Sequence, residues 1–223
     1  EHGVNVEYVG HPLLDRATSI PSRDESFRAW GLDPERPLLG ILPGSRIQEV
    51  ERHLTPFVES ARVVVDRRPG VQVLISQAPG LDDSYFRDLE FSVVRETPAL
   101  LRWSDCVLTK SGTSSLETAL EGTPLVVAHR VSWLSGVLAR LLLRTRYIGL
   151  PNLVAHQQIV PEVLQGEVSP EVIAPLLLEL IDESSSVRIG QIQNLDRMTG
   201  LLGEGGASSR MAEMAMTLLG RHS

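Results

Sequence analysis

Twice along this chain an apolar run stops at a glycine, passes through hydroxyl residues and continues with helical spacing. The second instance is the fuller one. Cys106, Val107 and Leu108 lead through Thr109, Lys110, Ser111, Gly112, Thr113, Ser114 and Ser115 into Leu116, Glu117 and Leu120. Physically this is a buried strand, a tight loop of small residues and a helix start. The first N–H groups of a helix have no partner inside it, and the helix dipole favours negative charge there. Such a place can hold a phosphate. Gly112 lets a ligand approach the backbone, and the hydroxyls of Ser111, Thr113, Ser114 and Ser115 can donate to its oxygens. Glu117 carries two readings. A carboxylate one turn into the helix can accept from the two neighbouring hydroxyls of a ribose. Ser114 and Glu117 also have the Ser-x-x-Glu spacing of a capping box, which accounts for both residues without a ligand. Lys110 is the only lysine in a chain that otherwise uses arginine.

The first instance follows the same logic. Leu38, Leu39, Ile41 and Leu42 form an apolar run that ends at Pro43, Gly44, Ser45 and Arg46, with Ser45 and Gln48 at capping-box spacing. A guanidinium is added here. Arg46 can grip a phosphate through paired N–H bonds, or it can form a surface salt bridge with Glu49 or Glu51. Thr55 and Pro56 read as an N-cap followed by proline at the first helical position, which predicts a helix carrying Phe57, Val58, Ala61, Val64 and Val65. Pro69 and Gly70 end it.

Further strands are expected at residues 71–76, 91–95, 105–109 and 125–128, with a short helix at 98–103. The alternation of strands and helices predicts an α/β domain, a parallel sheet with helices on both faces. Ligands of such sheets sit at the carboxyl ends of the strands. Arg46 and Ser111 both fall there, so two separate loops can converge on one anion. Residues 147–150 read as a last short strand ending at Pro151 and Asn152, whose amide can bond a base or a phosphate. Residues 4–9 alternate as a strand does, and Gly10, His11 and Pro12 break it. His11 is either a ligand contact or a turn residue. Residues 16–33 read as a connector with a short helix around 25–30. Residues 131–146 are strongly apolar with three arginines. They are too short to span a bilayer, which needs about 20 apolar residues, and either pack as a helix or lie on an anionic membrane surface. Ser169 and Pro170 start a helix lined by Ile173, Leu176, Leu177 and Leu180. Residues 184–223 are mostly helical, with a break at 203–206.

Composition narrows the function. With 223 residues and 42% hydrophobic side chains, the chain has enough material for a real core. A formal charge of −7 leaves no basic stripe for nucleic acid. One cysteine excludes an internal disulfide, and Cys106 reads as a small buried residue. The Asp82–Asp83 pair has no second ligand cluster, so no metal ion is expected. No signal peptide or apolar run of spanning length is present. The first residue is Glu1 rather than methionine, so a fragment is expected, with residues 4–9 entering from upstream.

The motifs now stand in a fixed order: Tyr8-Val9-Gly10-His11-Pro12, Leu42-Pro43-Gly44-Ser45-Arg46 with Glu49-Val50, Lys110-Ser111-Gly112-Thr113 with Leu116-Glu117, Gly122-Thr123-Pro124, Tyr147-Ile148-Gly149-Leu150-Pro151-Asn152-Leu153, and Val160-Pro161-Glu162. In this order and spacing the chain closely resembles the lipid A disaccharide synthases over nearly its whole length. The resemblance implies an inverting glycosyltransferase of two Rossmann-like domains, the GT-B arrangement. Such an enzyme joins UDP-2,3-diacylglucosamine to 2,3-diacylglucosamine 1-phosphate, with release of UDP. It implies that this chain is the C-terminal, nucleotide-binding half. Residues 1–183 would be the Rossmann-like domain, and 184–223 a helical segment packing on the other half or on a partner subunit. It assigns the UDP end of the donor to Gly44, Ser45, Arg46, Ser111, Gly112, Thr113, Ser114, Glu117 and Asn152, with Arg46 stabilising the leaving group. It implies no metal or other cofactor. The catalytic base and the lipid acceptor site would lie on the other half. The setting would be cytoplasmic, at the inner face of the inner membrane, with a homo-oligomer left open. The chain departs from the family where Gly-Arg usually follows Ala155, since it has His156 and Gln157. It also has His129 where tyrosine is common. The runner-up readings are another enzyme of this architecture, such as the peptidoglycan GlcNAc transferase or a UDP-GlcNAc 2-epimerase, and a non-catalytic UDP-binding module.

Overall fold

The computed structural model describes residues 7–15, 19–130 and 147–220. Among these, β1 (Leu38–Leu42), β2 (Gln72–Ser76), β3 (Ser92–Val94), β4 (Cys106–Lys110), β5 (Leu125–His129) and β6 (Glu162–Leu164) form one sheet in the order β3-β2-β1-β4-β5-β6. Every pairing is parallel. The chain winds outward from β1 to β3, then crosses back to place β4 against the other side of β1, with Leu39 opposite Cys106 and Ile41 opposite Leu108. The helices are α1 (Arg23–Trp30), α2 (Ile47–Arg67), α3 (Thr97–Trp103), α4 (Thr113–Leu120), α5 (Leu150–Ala155), α6 (Pro170–Ile181), α7 (Ser186–Leu201) and α8 (Ala207–Gly220).

All five residues of β1 are buried, as a parallel strand covered on both faces requires. Its side chains alternate between two cores. Leu39 and Ile41 join Phe57, Ala61 and Val64 of α2 and Ile173 and Leu177 of α6. Leu38 and Leu42 join Leu100 of α3, Leu116 of α4, and Leu195 and Met198 of α7. The α/β class and the two-faced sheet expected from the alternation are therefore present.

Two local expectations differ from what forms. First, no helix starts at Thr55. α2 runs unbroken from Ile47 to Arg67 with Pro56 inside it. Proline there forfeits one backbone bond, but Val50, Leu54, Phe57, Val58, Ala61 and Val64 bury one continuous stripe, and that stripe outweighs the local break. Second, residues 147–149 are not a strand. Glu162 on β6 binds them instead: its carboxylate accepts from Ile148 N–H at 3.0 Å and Gly149 N–H at 2.9 Å. The segment after 183 is fastened to the domain by side chains. Gln191 of α7 is buried and acts as a surrogate strand neighbour, accepting from Leu125 N–H at 2.7 Å and donating to Leu125 C=O at 3.2 Å. α8 is tied on by Asp15, whose carboxylate accepts from the N–H groups of Gly206, Ala207 and Ser208 at its start. Those bonds hold the Asp15 carboxyl at about 2.

His11 serves its own turn, its Nδ1 accepting from Leu13 N–H at 3.2 Å. His156 takes the left-handed conformation at the end of α5, with φ 53°. The strand expected at 4–9 falls largely, and the apolar stretch 131–146 wholly, outside the described residues. No helix among the described residues is long and apolar enough to cross a membrane.

Gln191→Ala is expected to destabilise the domain by about 1–3 kcal/mol, because it strands a buried N–H at the start of β5. Urea unfolding of parent and variant measures it. A change smaller than about 0.5 kcal/mol, the usual range of an inert surface substitution, would mean that the Leu125 backbone does not need this partner.

Candidate functional site

β1 and β4 are adjacent in the sheet but lead to opposite faces, α2 on one and α4 on the other. Their carboxyl ends therefore part, and the crevice between them is the topological switch point of the sheet. A cavity of about 280 Å³ lies there. Its lining brings Gly44, Ser45 and Arg46 from the loop after β1 together with Gly112, Thr113 and Ser114 from the loop after β4. The convergence expected from the two repeated motifs is thus present in space.

Each glycine makes room for a charged side chain of its own segment. Gly44 has φ 137°, and a Cβ on it would lie 2.5 Å from the Cβ of Glu49. A Cβ on Gly112 would lie 3.0 Å from the Lys110 ammonium. α4 begins at Gly112 with no side chain capping it. That overturns the Ser114–Glu117 capping box: Ser114 stands inside the helix, so it does not hold the capping position. Glu117 faces a larger adjoining cleft of about 1160 Å³, which shares Ser45, Thr113 and Ser114 with the first cavity.

Two expected ligand contacts are already engaged in the fold. The Ser111 hydroxyl donates to Ile148 C=O at 2.8 Å, and its N–H donates to Ala128 C=O at 3.2 Å. Asn152 is fully buried. Its amide donates to Val160 C=O at 2.9 Å and to Glu162 at 2.7 Å, and its oxygen accepts from Ile159 N–H and Val160 N–H. Both donors and both lone pairs of the amide are used. Asn152 ties α5 to the start of β6 and does not reach the cavity, because Pro151 and Asn152 lie in a helix rather than at a strand end.

The salt bridge of Arg46 with Glu49 forms, and it is part of a charge network behind the cavity whose link to Lys110 the sequence does not show. Oε1 of Glu49 accepts from Lys110 Nζ at 2.9 Å and lies 3.4 Å from Arg46 Nη1, and Oε2 accepts from Ser45 N–H at 2.9 Å. Partial burial works against the Glu49 charge, but the bonds from Lys110 and Ser45 and the Lys110 charge outweigh it and hold the carboxyl below its usual range. Arg46 itself is mostly exposed, 82% by side chain, so its guanidinium is open to a ligand as well as to Glu49. Beneath this group lies His53. Its Nε2 accepts from Arg130 N–H at 2.9 Å, which leaves Nδ1 to carry the proton and donate to Glu49 C=O at 2.7 Å. The ring is therefore neutral. Burial, together with the Lys110 charge and the unfavourable pairing of a second imidazolium with His129, pushes its pKa down to about 4 against the pull of Glu49. His129, stacked on it at 6.0 Å between centroids, is shifted down by burial and by Lys110. Two signals for this network stand in the sequence, the Arg46–Glu49 spacing and the lysine that stands by itself.

Asp82 and Asp83 are occupied elsewhere. Asp82 accepts from Ser84 N–H, and Asp83 binds Arg95 and Gln77.

A parallel sheet in this order, with a cationic crevice at its switch point, is a Rossmann-like α/β domain. The chain belongs to the lipid-A-disaccharide synthase family: the family model described as lipid-A-disaccharide synthetase matches residues 1–217. The lipid-A-disaccharide synthase of Syntrophus aciditrophicus is 37% identical over 97% of this chain and 58% of its own length. That of Myxococcus xanthus is 38% identical over 98% of this chain and 59% of its own length. The chain thus spans somewhat more than half of the curated relatives it matches. Among solved structures, the UDP-GlcNAc 2-epimerase of Neisseria meningitidis bound to UDP-GlcNAc superposes with a TM-score of 0.61 at 14% identity, covering 94% of this chain and 54% of that one. WaaG, a glycosyltransferase involved in lipopolysaccharide biosynthesis, gives 0.57 at 14% identity, covering 92% and 54%. These two likenesses are of fold.

Neutral His53 makes stability depend on pH. Below about 6.5 the unfolded chain takes up a proton that the folded ring refuses, so this contribution is complete above 6.5 and is lost as pH falls toward about 4. Over that window it amounts to the order of 3 kcal/mol. In His53→Gln that part of the slope is expected to vanish while the slope due to carboxylates remains. Denaturant unfolding at several pH values measures both, and parallel curves would mean that His53 is not held neutral by the fold.

Proposed function

We propose that this chain is the donor-nucleotide portion of a lipid A disaccharide synthase. The reaction is the transfer of 2,3-diacylglucosamine from UDP-2,3-diacylglucosamine to 2,3-diacylglucosamine 1-phosphate, with inversion and release of UDP. The observation that carries this reading is the crevice between β1 and β4, where an exposed guanidinium faces the uncapped start of a helix. As the anomeric bond breaks, negative charge grows on the departing diphosphate. Arg46 and the N–H groups at the start of α4 are suited to meet that charge where it develops, which is the form of stabilisation that lowers a barrier. The hydroxyls of Thr113 and Ser114 add donors, and Gly44 and Gly112 give the phosphates access to backbone. Glu117, on the adjoining cleft, accepts from the ribose hydroxyls. Ser111 and Asn152 support the site by holding residues 148 to 160 in place. The acceptor site, the base that activates the acceptor hydroxyl and any contact with the inner-membrane surface or a second subunit belong in this reading to the part of the relatives that this chain does not cover.

Calorimetric titration is expected to give UDP binding, while purified donor and acceptor yield no disaccharide with this chain alone. A folded sample that does not bind UDP would sink the reading. Arg46→Ala is expected to weaken UDP by about tenfold or more, the worth of one charge-assisted hydrogen bond of about 1.5–3 kcal/mol, and to leave uridine almost unchanged. Equal losses for both ligands would assign Arg46 to folding. Replacing UDP by its 2′-deoxy form is expected to cost less affinity in Glu117→Gln than in the parent, because glutamine has lost the charge and one acceptor. The same cost in both proteins would remove Glu117 from the ribose.

A further inference from the structure

Lys110 is a charged group at the crevice whose role the donor contacts above leave open. Its ammonium is partly buried, with 17% of the side chain exposed, and it lies under the loop after β4 on the lining of the same cavity as Arg46. Glu49 positions it. One carboxylate oxygen serves two cations from two loops, Lys110 at 2.9 Å and Arg46 at 3.4 Å. One negative charge cannot balance two positive ones, so the triad keeps a net positive charge, and both cations border the cavity. The adjacent rings of His53 and His129 are shifted toward their neutral forms and add no counter-charge. An ammonium has three donors. Only Glu49 accepts from this one among the described residues. Gly112 keeps the ammonium uncovered, because a Cβ there would sit 3.0 Å from Nζ. The same narrow space fits a compact ammonium better than a planar guanidinium, in a chain whose other basic side chains of this kind are all arginines.

We propose that Lys110 is a second diphosphate-binding group, facing Arg46 across the crevice, and that Glu49 is the positioning residue that holds it there. This rests on the nucleotide-diphosphate reading of the crevice. The two loops then contribute one cation each, and a diphosphate bridging them completes the charge balance that Glu49 alone leaves short.

The single lysine permits a direct test on the unaltered chain. With lysine labelled by carbon-13, the side-chain ε-methylene of Lys110 gives one resonance. It is expected to shift on addition of UDP and of inorganic pyrophosphate, and to stay in place with uridine. UDP binding seen by calorimetry with no shift at Lys110 would overturn the inference and leave the nucleotide reading standing. A shift with pyrophosphate in a chain that does not bind UDP would support Lys110 and overturn the nucleotide reading. No shift with either anion and no UDP binding would overturn both. Lys110→Met is expected to weaken UDP by about tenfold or more with uridine unchanged; if that variant does not fold, the labelled parent decides. The effect of Glu49→Gln on UDP affinity is expected to shrink in the Lys110→Met background, and an undiminished effect would assign Glu49 to Arg46 and the turn alone.

Discussion

The pairing of β1 with β4 is the constraint on which the rest depends. Two strands buried on both faces have no solvent side, so their order and register are set by what each face must bury. Once β4 lies against β1, the connections after them must leave to opposite faces, because α2 and α4 belong to different cores. The crevice is the geometric result of that divergence. It would be present with other residues at its lip, and residues 44–46 and 112–114 give it its chemistry. Fold and site are separable in this sense: the apolar alternation of Leu38 to Leu42 makes the crevice, and the short polar segments that follow decide what it can hold.

Around this centre, side chains do much of the work usually left to backbone pairing. Glu162 binds the N–H groups of Ile148 and Gly149, Asn152 binds both ends of its own loop, and Gln191 pairs with Leu125 as a strand would. Asp15 closes the start of α8 from the far end of the sequence. Each arrangement answers the same requirement, that backbone groups withdrawn from water must find partners. Each also fastens a segment that a short strand or a short helix could not hold by itself.

This explains which parts were legible in the sequence. The strands Leu38–Leu42, Gln72–Ser76, Cys106–Lys110 and Leu125–His129 were readable because their signal is local: consecutive apolar residues ended by glycine, proline or hydroxyls. The convergence of Gly44–Arg46 with Gly112–Ser114 was readable because one motif occurs twice at strand ends. β6 was not, since three residues with one buried position leave almost no pattern. Asn152 was misplaced for a related reason. Its neighbours look like the end of a strand, and only the fold brings Glu162 and Val160 to its amide. Thr55 and Pro56 carried a valid local signal that the apolar face of a long helix overrode. The Glu49–Lys110 pair spans 61 positions, and no spacing rule reaches that far.

The same reasoning explains why the crevice is backed by ionised and neutral polar groups rather than by a plain apolar floor. Two cations from separate loops repel each other, and without a counter-charge each would turn outward to water. Glu49 offsets part of that repulsion and holds Lys110 and Arg46 within reach of a single oxygen. A third positive charge on His53 or His129 would add to the uncompensated charge, and burial beside Lys110 shifts both rings toward their neutral forms. His53 donates to the carbonyl of Glu49 one turn back on the same helix, and it anchors the chain beyond β5 through Arg130. The ion pair, the neutral imidazole and the ends of β4 and β5 therefore form one connected arrangement. Preorganisation of this kind lets a site meet an anion without first ordering its own side chains, which is where much of the free energy of binding is otherwise lost.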